Sequence, residues 1–139
     1  TIPQISVIID EIPESHVAMI RRYLEFWKEH RDVLIDGTIR PLQPQHAYPV
    51  VVSENDNKVA AAAYANGFIP LPEMKNRELI LINGTLDDRA VIELTDDLGG
   101  KNIKVWSCTG ELQREESIDF KNGVHSVNIP PAGTAIIGD

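Results

Sequence analysis

Cysteine is almost missing from this chain: Cys108 is the only one among 139 residues. A single thiol excludes an internal disulfide and any Cys-rich zinc site. No apolar run approaches the ~18–20 residues needed to cross a bilayer, so no membrane is expected as a partner. The stretch Ile5–Ile9 is too short and lacks a basic leader, which argues against a signal peptide. Basic charge is also short, with 13 Lys and Arg against 21 Asp and Glu and a net charge of −8. The basic residues never cluster beyond pairs such as Arg21-Arg22. A surface of that sign repels phosphate backbones, and nucleic acid is excluded as an expected partner. There is no glycine-rich phosphate loop and no G-x-S-x-G elbow. His16, His30, His46 and His125 never stand at H-x-x-x-H or H-E-x-x-H spacing.

What remains is long enough for one domain with a real hydrophobic core, and its composition is that of an ordinary globular chain, 42% apolar and 24% charged. It falls into two unlike parts. From Glu14 to Asp36 there is no Gly or Pro, and helix formers dominate. Pro13 sits where a first-turn proline is tolerated, Glu14 complements the positive end of the helix dipole, and Gly37 supplies a stop. Val17, Ile20, Leu24, Trp27 and Leu34 recur at helical spacing with Tyr23 and His30 on the flank. Glu25, Lys28, Glu29 and Asp32 occupy the other side, interrupted by Met19, Phe26 and Val33. The predicted helix has a wide apolar face.

Beyond Gly37 short β-like runs alternate with turn signals at the spacing of a sandwich or barrel. Strands are expected at Ala47–Ser53, Lys58–Ala65, Glu78–Asn83, Ala90–Thr95, Asn102–Cys108, Gln113–Phe120, Val124–Ile129 and Thr134–Ile137. The separators include Glu54 to Asn57, Asn66-Gly67, Asn83-Gly84, Asp96 to Gly100, Thr109-Gly110, Asn122-Gly123 and Pro130 to Gly133. Ala90/Ile92/Leu94, Ile103/Val105 and Ile118/Phe120 show period-two burial. The alanine run Ala60–Ala63 favours a helix by propensity and a strand by its flanking turns. The expected fold is mainly β: an antiparallel β-sandwich of about eight strands, residues 39–139, preceded by residues 1–38 with one long amphipathic helix.

That helix cannot bury its stripe on itself, and a sandwich already has two sheets to fill its core. Each large apolar side chain left exposed forgoes roughly 1.5–3 kcal/mol, and five of them make a sizeable patch. A covering body outside this chain is expected. The chain opens on Thr1 rather than methionine, which fits a fragment of a longer parent.

The segment from Pro3 to Gly37 resembles the end of the catalytic barrel in melibiase-like α-galactosidases, glycoside hydrolase family 36 and its relatives. The resemblance lies in a YLxFWxxHRDVLxxG-like pattern at Tyr23, Leu24, Phe26, Trp27, His30, Arg31, Asp32, Val33, Leu34 and Gly37. The ending Val127 to Thr134 is similar to the last hairpin of the family's C-terminal sandwich. The resemblance implies a last barrel helix leading into an antiparallel sandwich, and a parent that removes terminal α-linked galactose with two aspartates. Both aspartates would precede Thr1, so no catalytic residue is carried onto this chain.

The remaining residue types point to no chemistry of their own. Asp87-Asp88 and Asp96-Asp97 could offer oxygens to a cation but read as turn residues. His30 reads as a packing and hydrogen-bonding side chain, and His125 as half-buried or at the surface. Cys108 lacks a visible base or activating field and reads as a small buried or edge residue. Asn83-Gly84-Thr85 matches a glycosylation acceptor, yet Asn-Gly is also a favoured hairpin turn. Tyr48, Tyr64, Phe68 and Trp106 could stack on sugar rings, but aromatics make up only 6% of the chain, and Trp106 reads better as packing. No catalytic, cofactor-binding or metal-ligating residue and no cofactor is expected. The leading expectation is a non-catalytic sandwich bracing the catalytic barrel upstream in the same parent chain. Its competitors are a stand-alone carbohydrate-binding module and an interaction module, with carbohydrate or a second copy paired through the exposed helix face as partner. The compartment stays open between bacterial periplasm and cytoplasm.

Overall fold

A computed structural model describes residues 6–65 and 68–139. Residues 1–5, at the start of the segment whose resemblance to a barrel end was noted, and the expected Asn66-Gly67 turn lie outside the described residues. The chain forms one long helix followed by a mainly β sandwich, as its patterning predicts. Helix α1 runs Glu14–Glu29 and a four-residue helix α2 follows at Arg31–Leu34. Among the described residues ten strands come next: β1 Thr38–Leu42, β2 Val50–Glu54, β3 Lys58–Ala63, β4 Phe68–Pro70, β5 Glu78–Asn83, β6 Arg89–Leu94, β7 Leu98–Trp106, β8 Leu112–Phe120, β9 Gly123–Asn128 and β10 Thr134–Gly138. The larger sheet has seven strands in the order β1-β2-β3-β5-β10-β7-β8, and the smaller has three, β4-β6-β9.

Pairing is antiparallel except at two places, where β3 runs parallel to β5 and β4 runs parallel to β6. The sheets are therefore mixed rather than purely antiparallel. Parallel neighbours need a crossover, and here each crossover passes through the opposite sheet: β4 lies between β3 and β5 in sequence, and β5 lies between β4 and β6. Neither β1 nor β4 is among the expected strands. Pro41 and Pro70 disguise them, since a proline reads as a breaker. Both are edge strands, where a missing N–H costs no ladder bond. The strand expected from Ala47 begins only at Val50, because Ala47 and Tyr48 adopt left-handed backbone with φ of 58° and 56°.

Period-two patterning then sorts the larger sheet into two faces. Inward, the paired rows Val52–Ala61–Leu81–Ala135–Val105 and Val59–Leu79–Ile137–Ile103 meet Ile69, Ile92, Leu94 and Val127 of the smaller sheet in one core. Outward, the rows Ile39–Ser53–Ala60–Ile80–Ile136 and Val51–Ala62–Ile82 present a second apolar surface. Phe26 and Val33 close over Ala60 and Ile80 there, joined by Leu34, Ile82 and Ile136. The small Ala60 and Ala62 leave room for the helix to approach. The helix thus does find part of its partner within the chain, and the layers run helix, large sheet, small sheet.

The expected continuous helix from Glu14 to Asp36 is interrupted at His30, whose φ of −109° and ψ of 21° leave the helical region. Its N–H still bonds the Phe26 carbonyl at 3.1 Å. Beyond this break Val33 lies fully buried on the sheet, and the Ser53 hydroxyl donates to its carbonyl at 2.6 Å. Gly37 is required at the exit, since a Cβ there would collide with that same Val33 carbonyl.

Candidate functional site

The outer face of the large sheet is where the chain leaves apolar surface incompletely covered. On α1 the apolar arc is wider than the stripe that packs on the sheet beneath it. Phe26 and His30 point straight down and are buried, whereas Val17, Ile20, Leu24 and Trp27 on the flank stay half-buried. Between this flank and the strands β1, β2 and β3 runs an open apolar cleft of about 510 Å³, walled by Ile20, Leu24, Trp27, Ile39, Val51 and Ala62. Phe26 and Val33 pack on Ala60 of β3 and Ile80 of β5, and the cleft stays open beside that contact.

Polar groups fasten the helix at both ends. The Tyr23 hydroxyl donates a short hydrogen bond to the Ala132 carbonyl, and Asp32 accepts from Lys58 Nζ at 3.1 Å and from Asn55 at 3.2 Å. Burial pushes the Tyr23 phenol above its ordinary value, with Cys108 nearby adding to the rise. For Asp32, burial alone would raise the carboxyl, but the bonds from Lys58 and Asn55 outweigh it and bring it down. The Arg22 guanidinium lies between two rings, 5.4 Å from each of the Phe26 and Trp106 centroids. That is a cation–π arrangement, and it seats Trp106 under the helix, so this ring packs rather than presenting a platform.

His30 is 3% exposed and meets Phe26 edge-to-face at 4.8 Å. Both of its ring nitrogens are buried without a hydrogen-bond partner. The packing role expected of it is what it performs, whereas the hydrogen bonding is not. Burial pulls its pKa below the usual imidazole value, against the pull of Glu29 at 3.9 Å.

The structure scatters the other sequence candidates. Asp87 and Asp88 are exposed in the β5–β6 connection. Asp96 accepts from the backbone of Met74 at 2.7 Å and Lys75 at 2.9 Å, and Asp97 from Asn122 at 2.8 Å, so the second pair acts in turns as expected. His125 stacks on Phe120 at 4.5 Å. His16 and His46 are exposed on separate elements, and Cys108 is half-buried with a free thiol. Among the described residues no three His, Cys, Asp or Glu side chains come together as a metal site. No helix among them is long and apolar enough to cross a membrane.

Asn83 is the residue that sequence reading placed wrongly. It makes no hairpin: β5 and β6 belong to different sheets. Its fully buried side chain donates to the carbonyls of Asp87 at 2.7 Å and Ile129 at 2.8 Å and accepts from Thr85 N and Oγ1. An amide engaged in this way is closed to glycosylation in the folded chain. Ser53 and Arg22 carried no distinguishing signal in the sequence, because their partners are far apart in the chain.

The class these features define is a helix-capped β-sandwich with mixed sheets. Comparison of the chain with family models, with curated proteins and with solved structures gave no match in any of the three.

Proposed function

We propose that this chain is the helix-and-sandwich end of an α-galactosidase-type glycoside hydrolase, non-catalytic in itself, which braces a (β/α)₈ barrel upstream in the same parent chain. The observation that carries this reading is the two-sided apolar helix. A helix with only its own sheet to cover needs one buried stripe. Here Phe26 and His30 fill that stripe, while Val17, Ile20, Leu24 and Trp27 form a second one beside an open cleft. A flank of that breadth is what a helix needs when it is shared between two bodies.

The family-like residues support the same reading through what they touch. Tyr23, Phe26, Asp32, Val33 and Gly37 all fasten the helix to the sandwich, and His30 packs on Phe26. Leu24 and Trp27 line the cleft without joining the buried cluster under the helix. The pattern therefore divides into an anchoring set and an outward set, as a rigid bracket demands. The acidic pairs do not compete with it: Asp96 and Asp97 are engaged by backbone N–H groups, and neighbouring carboxylates on an exposed turn make poor acid and base partners.

Two measurements test the proposal. The purified chain releases no nitrophenol from 4-nitrophenyl α-galactoside, and measurable release overturns it. The reading frame upstream of Thr1 encodes eight βα units with an aspartate at two strand ends, and a frame without them leaves the bracket nothing to hold.

A further inference from the structure

A second cleft, of about 580 Å³, opens at the end of the large sheet, between the β1–β2 loop and the β5–β6 connection. It is lined by Gln43 and His46 from one connection and Thr85, Leu86 and Asp87 from the other, with Tyr64 and Gly84 shared with the cleft under the helix. It has a different character from the cleft under the helix, because these connections carry hydrogen-bonding side chains. We infer that this cleft is a saccharide subsite, with the Tyr64 ring as the stacking platform for one pyranose of a neutral oligosaccharide.

The platform is built into the backbone. Tyr64 is 60% exposed, yet its ring lies against Gly84, where a Cβ would come within 2.8 Å of Cδ1 and 3.2 Å of Cε1. One side of the ring thus rests on bare main chain, which any larger residue at position 84 would displace, and the ring still presents most of its surface to solvent. The main chain beneath is pinned, with Tyr64 N–H bonded to the Pro49 carbonyl at 2.8 Å and Gly84 N–H to the Ala63 carbonyl at 2.7 Å. Asn83 locks the neighbouring connection through Asp87. On the facing rim, Gln43, Ala47 and Tyr48 hold left-handed backbone at φ of 56°, 58° and 56°, a conformation that non-glycine residues adopt at a cost. The bonds from His46 N–H and Tyr48 N–H to the Gln43 carbonyl, at 2.9 and 3.3 Å, fix that loop. A lining set in advance spares a ligand the ordering entropy that weakens loop sites.

The chemistry of the lining selects the ligand. A pyranose offers an apolar C–H face to an aromatic ring and hydroxyls around its edge. The Gln43 amide can both donate and accept, His46 does so through its two ring nitrogens, and the Asp87 carboxylate can accept from two adjacent hydroxyls. Among the described residues no Lys or Arg lines the cleft, and Asp88 follows Asp87 in a chain of net charge −8. A phosphate or sulfate group would meet repulsion there, which favours a neutral hydroxylated ligand over an anionic one. This inference rests on the cleft alone and stands or falls without the barrel.

The test is a titration of the uniformly ¹⁵N-labelled chain with galactomannan-derived, cello- and malto-hexaoses, and with a sugar phosphate as a charged control. At least one neutral hexaose is expected to give saturable amide shifts confined to the segments around Gln43–Tyr48, Tyr64 and Gly84–Asp87. Tyr64→Ala is expected to weaken binding by about tenfold or more, and Tyr64→Phe to keep it within about twofold, because the ring and not the hydroxyl carries the contact. Asp87→Ala alters an exposed side chain and also weakens binding, which keeps the test decisive should Tyr64→Ala fail to fold. Absence of saturable shifts with every neutral sugar overturns the inference. So do shifts that map to Ile20, Leu24 and Trp27 of the cleft under α1, binding by Tyr64→Ala and Asp87→Ala at wild-type strength, or a preference for the sugar phosphate.

Discussion

The inner face of the seven-stranded sheet meets a three-stranded sheet, and its outer face meets one helix. Both faces carry aliphatic rows of similar make, such as Leu79, Leu81 and Ile137 inward and Ile80, Ile82 and Ile136 outward. Inward, those side chains interdigitate with Ile69, Ile92, Leu94 and Val127 and leave almost no exposure. Outward, Phe26, His30, Val33, Ala60 and Ile80 reach that state with Ser53 and Ala62 close to it, and a cleft of about 510 Å³ remains beside them. A sheet is as wide as its strands are many, whereas a helix is about 10–12 Å across. One helix cannot roof seven strands, so the face it covers is closed at the centre and open at one side.

Four changes would break or sharpen this contrast. The largest effect is expected at the inner core, where Leu81→Ala should lower unfolding free energy by about 2–5 kcal/mol, since a fully buried leucine leaves a cavity; urea denaturation measures it. A loss below about 1 kcal/mol would mean that the inner face is no tighter than the outer. Asn83→Ala should cost about 1–3 kcal/mol, because the carbonyls of Asp87 and Ile129 and the Thr85 donors lose their buried partner. Thermal melts that match the wild type would remove Asn83 as the link between the sheets.

The third change concerns acid. Burial holds the His30 pKa below its usual 6.5. As the pH falls below that value the unfolded chain takes up a proton that the folded chain resists, so stability should decline until the pH passes the folded value. Asp32, held below 3.8 by Lys58 and Asn55, should add a second loss under more acid conditions, because its contribution is present above 3.8 and vanishes as the folded carboxyl protonates. His30→Phe should flatten the first decline and leave the second; urea midpoints between pH 7 and pH 3 give both. The smallest effect is expected on the open flank, where Leu24→Gln should change stability by no more than about 0.5–1 kcal/mol. If the flank also pairs copies of the chain, light scattering should show less dimer for this variant than for the wild type.

Much of the fold was legible in the sequence, and the misses have identifiable causes. The helix start at Glu14, the strands at Glu78–Asn83 and Thr134, and the inward alternation Ala90/Ile92/Leu94 depend on local periodicity, which burial on one face imposes residue by residue. Edge strands β1 and β4 were hidden by Pro41 and Pro70, since a proline signals a break whether or not its position needs an N–H. Asn83-Gly84 looked like a hairpin because turn chemistry is local and does not say which sheet the next strand joins. The candidate site was half legible: Tyr64 and the helix stripe stood out by type and spacing, while Gly84 beneath the ring and Ser53 beneath Val33 did not.

The sequence by itself determined the element types, the apolar stripe of α1, and the acidic balance that turns phosphate away. Those follow from steric propensity and from charge, and each is settled within a few residues or by simple summation. Tertiary structure alone decided that β3 and β5 run parallel, that Phe26 and Val33 pack on the chain's own sheet while Leu24 and Trp27 stand across an open cleft from it, and that Gln43, Tyr64 and Asp87 border one cleft. Those outcomes depend on side chains twenty or more positions apart meeting across a crossover, a relation that no local pattern encodes.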